Sequence, residues 1–333
     1  MTKAAILALA LLSGCSSLKK DNEPKSPPRL SHTVTDQLAA YRPLVASGLD
    51  AHGLAVMGGS IGDSALFSCL ARVGGAATFD PAILIVNGQP IRHPDITPAA
   101  SSTPVSKDMV NGILWCLWDV AHKGDKAHAL ELVQSMVAFG RAHRDPIAGW
   151  FFCTDEDRAK YSISDEDWIG KCLMPPSTIK DIYRVLKYAG GACDDDCRFW
   201  SDVGPNVPTD GTGFQRHLAV LTTTRNGLLD GAINDNSLKQ LELAALAQPR
   251  NALYVAAYHL YGDGAQEAAF DGLLDSALFP ASVLPTAANY CAEYLFQRDQ
   301  DQSDWQPCPP AAGAEGRGIE WVFAATLALG VVK

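Results

Sequence analysis

The sequence predicts an all-α fold, with helical hairpins arranged as an (α/α) toroid or an incomplete toroid and loops stapled by disulfides. Three observations carry this prediction. Apolar residues recur at three- and four-residue spacing along most of the chain, with no sustained strand-type alternation. Short breaks such as Gly124-Asp125 separate successive helices, which makes neighbours antiparallel. Two stretches, Met109 to Val120 and Ile319 to Leu329, are apolar almost all round and suit an inner ring covered by outer helices. A terminal helix that apolar needs cover on every side, which favours closure over an open stack with a polar cap.

The chain opens with Lys3 and an apolar run, Ala4 to Leu12, too short to span a bilayer as a stable helix. It ends in Leu12-Ser13-Gly14-Cys15, which resembles the lipobox of bacterial lipoprotein signal peptides. The resemblance implies cleavage before Cys15 and acylation of Cys15, so that a lipid anchors the protein to a membrane. Ser16, where an Asp would signal inner-membrane retention, implies the outer membrane of a bacterial envelope. Residues 1–14 then form the signal peptide. Residues 15–30, rich in Ser, Lys and Pro, form a flexible tether. Residues 31–333 form one α-helical domain.

Hydrophobic residues make up 47% of the 333 and charged ones 19%, enough to fill a large core. The formal charge of -10 argues against nucleic acid, which requires clustered Lys and Arg. Nine cysteines leave eight after Cys15, an even number that suggests disulfides in an exported chain. Eight cysteines allow 105 pairings, so the spacing leaves the connectivity open, and the local candidates are Cys153 with Cys172, Cys193 with Cys197, and Cys291 with Cys308. Cys69 and Cys116 lie in apolar helical stretches, either paired or as buried thiols. Cys193 and Cys197 have no further ligands at zinc spacing, so neither a metal nor a cofactor is expected.

In chain order, His32 to Leu49 reads as the first helix. Ser60 and Asp63 have the form of a capping box, with Ser60 as N-cap of a second helix that stops at Gly74-Gly75. Thr78 to Val105 is irregular and carries Pro81, Pro90, Pro94, Pro98 and Pro104. Within it, Ala82 to Val86 reads as a short strand or part of a helix. Ser106 caps the central helix, Asp108 sits in its first turn, and Gly124 ends it. Asp125 starts a partner running to about Ala142. Asp145 to Met174 reads as a charged loop. Pro175-Pro176 starts a helix to Gly190, and Cys193 to Gly211 is irregular. Helices follow over 213–229, 237–248, 250–261, 265–278, 286–297 and 318–329, about eleven in all.

The body is similar in architecture to (α/α) toroid carbohydrate-active enzymes of bacterial envelopes, a likeness that covers residues 30 to 333. It implies a cleft at the rim of the inner helices lined by acidic residues. Glycoside hydrolysis takes two carboxyls, one as acid and one as base or nucleophile. Asp63 and Asp108 are the expected pair, because each heads an apolar helix beside the Pro-rich stretch. Arg92, His93, Trp115, Gln215 and His217 are the expected substrate-binding residues, with Trp115 and Trp118 offering either a stacking surface or, at i and i+3 on an apolar helix, part of the core. The expected function is carbohydrate processing, glycoside hydrolase-like or polysaccharide lyase-like. The alternative is a non-catalytic envelope lipoprotein that binds a ligand or protein through a concave helical face. His-Glu-x-x-His, Gly-x-Ser-x-Gly and Gly-x-Gly-x-x-Gly motifs are absent.

Overall fold

The computed structural model describes residues 29–56, 60–145, 148–202, 214–247, 251–261 and 319–330. The predicted helices over 265–278 and 286–297, the Cys291–Cys308 pair and the Cys15 anchor lie outside them. The described residues are mostly helical: α1 (Arg29–Ala46), α2 (Ser64–Val73), α3 (Lys107–His122), α4 (Lys126–Ala142), α5 (Asp155–Tyr161), α6 (Asp165–Asp167), α7 (Pro176–Tyr188), α8 (Asp195–Ser201), α9 (Phe214–Asp230), α10 (Asp235–Ala247), α11 (Ala252–Tyr261) and α12 (Ile319–Ala328).

The central contact is α2 against α3. Three cross-links fix its register. A Cβ on Gly112 would stand 2.4 Å from the Leu66 backbone, so only glycine admits this approach. One step along, Cys116 is bonded to Cys69. One step further, Arg72 Nε lies 3.1 Å from Asp119 Oδ2, and Asp119 is 3% exposed. Both partners advance together through these contacts, so α2 and α3 run parallel and begin at the same end. The connection from Gly74 to Ser106 must therefore travel back the full length of a helix, which explains its size.

Helix α12 is buried along its whole length and packs on α1, α2 and α11. Its Trp321 stacks near Tyr41 of α1, and its Phe323 meets Trp115 of α3 edge-on at 4.9 Å. Arg42 of α1 donates from Nε to the Gly74 carbonyl at 2.8 Å and ties these elements together. The first and last described helices are thus neighbours around one continuous apolar core.

Several local expectations are corrected. The second helix starts at Ser64 with Asp63 as N-cap, not at a Ser60 capping box. Ser60 Oγ instead accepts from Gly62 N–H at 3.1 Å, in a turn that ends before the helix begins. Ala82 to Val86, expected as a short strand or part of a helix, holds both: a 3-10 turn, Pro81–Leu84, and strand β1 (Ile85–Val86), which pairs with β2 (Gln89–Pro90). Asn87 and Gly88 both have positive φ, as a two-residue hairpin turn requires. The charged loop before Met174 holds α5, α6 and a small antiparallel sheet of β3 (Arg144–Asp145), β4 (Gly149–Phe151) and β5 (Leu173–Met174). The irregular stretch after Cys193 contains α8, capped by Asp194. Three disulfides are present among the described residues: Cys69–Cys116, Cys153–Cys172 and Cys193–Cys197.

Candidate functional site

The shared end of α2 and α3 is where the two helix heads and the Pro-rich connection meet. Asp63 caps α2 by position, but its side chain accepts no capping bond and stays partly exposed. Asp108 lies in the first turn of α3, half-buried. Ser106, its N-cap, has an extended backbone and turns its hydroxyl to Asp108 Oδ1 in place of a backbone N–H. The carboxylate is thereby fixed in orientation by its own helix head.

Arg92 reaches this end from the connection and is 6% exposed. Its Nε donates to Thr103 O at 3.0 Å, its Nη2 to Thr103 Oγ1 at 3.2 Å, and its Nη1 to Gly62 O. The same Nη1 stands 3.8 Å from Asp63 Oδ1. Burial pulls the Arg92 guanidinium below its ordinary pKa, opposed by the negative charge of Asp108, then Asp63, then Asp167. Asp167 itself is held below the usual carboxylate range by bonds from Lys171 and Ser102. Lys171 Nζ reaches Ser102 Oγ at 2.9 Å and Asp167 Oδ1 at 2.8 Å. Three carboxylates and two cations thus gather where the loop crosses the helix heads. Asp167 and Lys171 are additions that the linear sequence does not mark.

His93 is adjacent in sequence to Arg92 but belongs to a second cluster. Its ring is 1% exposed. Nδ1 accepts from the Asp95 N–H at 3.0 Å, so the proton sits on Nε2, which donates to Asp50 Oδ2 at 2.7 Å. Burial pushes the Asp50 carboxyl up, but bonds from Leu54 N–H, His93 and His52 N–H outweigh it, and the net pKa is lowered. His52 Nε2 stands 3.0 Å from Asp95 Oδ2. Donor atoms of Asp50, His52 and Asp95 lie within 4.8 Å of one another, so this group has the composition and spacing to take a divalent cation. The signal for it was Asp50-x-His52 with His93-Pro94-Asp95.

The remaining sequence candidates lie elsewhere. Trp115 is wholly buried and packs edge-on against Trp118 and Phe323, so the structure places it in the core and corrects its reading as a sugar-stacking surface. His217, on α9, is buried with Nε2 3.7 Å from Glu320 Oε1 of α12. Gln215 is exposed at the start of α9. No family model matches the chain, and no curated protein matches it.

Proposed function

We propose that the protein is a lipid-anchored protein of the bacterial envelope, an (α/α) toroid or incomplete toroid that processes carbohydrate by hydrolysis or lyase chemistry. Asp63 and Asp108 are its paired carboxylates. The observation that carries this reading is the parallel run of α2 and α3, which sets the Asp63 and Asp108 heads at one end with Arg92 against them. Contact between the first and last described helices supports a ring.

In hydrolysis, one carboxyl protonates the glycosidic oxygen, while the other activates a water or attacks the anomeric carbon. Ser106 orients Asp108 for either role. Arg92 braces the Pro-rich loop internally at Thr103 and holds it onto the head of α2 at Gly62, which keeps the rim rigid. Gln215, exposed on α9, is a sugar-contacting candidate. The test is release of reducing ends, or of unsaturated ends at 232 nm, from a panel of bacterial and algal polysaccharides treated with the detergent-solubilised full chain. Turnover of at least one glycan is expected, and inactivity across the panel counts against catalysis.

One observation favours a non-catalytic second reading. Arg92 spends its donors on loop and helix-head groups and lies beside Asp63, which gives a mutually satisfied polar cluster suited to recognition. Saturable glycan binding without turnover would select it.

A further inference from the structure

The turn after α1 and the Pro-rich connection meet at a cluster of metal-ligating side chains. Asp50 and His52 belong to the turn, and Asp95 belongs to the connection, 43 residues beyond His52. The Gly53 N–H closes the turn on the Asp50 carbonyl at 3.0 Å, with Gly53 at a φ of +76°. Asp50 Oδ1 accepts from the His52 N–H at 2.9 Å and from the Leu54 N–H at 2.8 Å. The carboxylate and the imidazole are thus carried on one closed turn.

His93 ties this turn to the connection from behind. Its buried ring donates from Nε2 to Asp50 Oδ2 and accepts at Nδ1 from the Asp95 N–H. Both ring nitrogens are used, so His93 positions the two aspartates and is not a ligand itself. It also meets the His52 ring edge-on, with centroids 5.5 Å apart, which sets the plane of that more exposed ring.

The donors have capacity left for a cation. A carboxylate offers about four lone-pair sites. Asp50 uses three, on His52, Leu54 and His93, and keeps one on Oδ2. Asp95 is 67% exposed and meets His52 Nε2 with Oδ2 at 3.0 Å, so its carboxylate can turn. Among the described residues, the ion-pair partners of Asp50 and Asp95 are histidines alone, with no Lys or Arg to neutralise the two negative charges.

The spacing fits a small ion. Bonds of about 2.0–2.2 Å place two ligand atoms on one first-row cation about 3.3–4.4 Å apart. The 3.0 Å His52–Asp95 separation and the 4.8 Å limit on the whole group bracket that range, so small rotations of the exposed side chains complete the geometry. His52 Nε2 coordinates once its proton is carried on Nδ1, and the cation then takes the place of the proton shared with Asp95. An imidazole donor favours zinc-type ions over Ca²⁺ and Mg²⁺, which take oxygen ligands.

We propose that Asp50, His52 and Asp95 bind one zinc-type divalent cation, which clips the turn after α1 to the Pro-rich connection. The site does not involve Asp63 or Asp108 and stands whether or not those residues are catalytic.

The test is isothermal titration of the chelator-treated, detergent-solubilised full chain with Zn²⁺, with Ca²⁺ and Mg²⁺ titrated in parallel. One saturable Zn²⁺ site, at least about tenfold tighter than Ca²⁺ or Mg²⁺, is expected. His52→Ala and Asp95→Asn change exposed side chains, and each is expected to weaken Zn²⁺ about tenfold or more. His128→Ala, in a His–Asp pair with Asp80 outside the group, is expected to leave it unchanged. The visible absorption of bound Co²⁺ is expected in the parent and lost in His52→Ala. Absence of saturable Zn²⁺ binding overturns the proposal, as does binding that survives both substitutions in folded protein. Equal affinity for Ca²⁺ or Mg²⁺ overturns the imidazole ligand, and an effect of His128→Ala equal to that of His52→Ala overturns the location.

Discussion

Arg92 Nη1 stands 3.8 Å from Asp63 Oδ1 and donates to the Gly62 carbonyl, while Nε and Nη2 are bound to Thr103. One side chain thus joins the Pro-rich connection to the head of α2. Removing it leaves the Thr103 and Gly62 carbonyls without their donor. Arg92→Met is expected to lower stability by about 2–4 kcal/mol. Urea unfolding followed by circular dichroism measures this, and a loss below about 0.5 kcal/mol would show that the loop is held by other contacts.

The Cys69–Cys116 bond closes a segment of 47 residues between the two parallel helices. Chain-entropy arguments put its contribution at about 4 kcal/mol. The double substitution Cys69→Ala/Cys116→Ala is expected to lower stability by about 2–5 kcal/mol under non-reducing conditions. An unchanged denaturation midpoint would contradict the packing role assigned to this bond.

Arg225 lies wholly inside the protein, with Nη2 3.1 Å from Asp181 Oδ2 and Nη1 bonded to Asn111. Burial lowers its pKa to about 10, with Asp181 opposing the shift. Arg225→Met strands the buried Asp181 charge, and a loss of about 3–5 kcal/mol is expected. Thermal unfolding of the variant checks it, and a change under about 1 kcal/mol would mean that Arg184 and Asn226 alone satisfy Asp181.

Acid should destabilise the fold in a defined window. Asp50, Asp80, Asp167 and Asp194 are all lowered from the ordinary value of 3.8. A carboxyl depressed in the folded state contributes stability above its unfolded pKa and loses it as pH falls through its folded pKa. Stability attributable to these groups should therefore be full above about pH 5 and decline below about pH 4. Replacing Asp50 by Asn should flatten part of that decline. An Asp50→Asn profile that overlays the parent at every pH would refute the assignment.

The proposed membrane attachment rests on Cys15. The parent chain expressed in a Gram-negative host is expected in the membrane fraction, with acylated Cys15 at its N-terminus by mass spectrometry. Cys15→Ser is expected to abolish that modification. An unmodified Cys15 within an uncleaved leader would end the lipoprotein reading.

Much of the helical frame was legible in the sequence because apolar spacing and Gly or Pro stops are local signals. The central helix from Ser106, its hairpin partner to Ala142 and the covered last helix could be read that way. The start of α2 was misplaced by several residues because Ser60 and Asp63 mimic a capping box that tertiary structure does not use. Of the short strands only β1 fell in a stretch read as strand or helix, because strands of two or three residues have no alternation to detect, although Asn87-Gly88 was a hairpin signal. The sequence placed Asp63, Asp108 and Arg92 near one another through their shared loop. It carried no sign of Asp167 and Lys171, because those contacts depend on how distant segments fold back. The spacing left Trp115 between a stacking surface and the core, because stacking surfaces and core indoles share the same helical spacing, and the structure buries it.

The most direct test of the central claim is turnover of the best glycan by the parent chain beside Asp63→Asn and Asp108→Asn. Each substitution is expected to lower kcat/KM by about 10²–10⁴-fold, with folding unchanged by circular dichroism. Turnover retained in both folded variants would contradict a catalytic role for the paired helix heads.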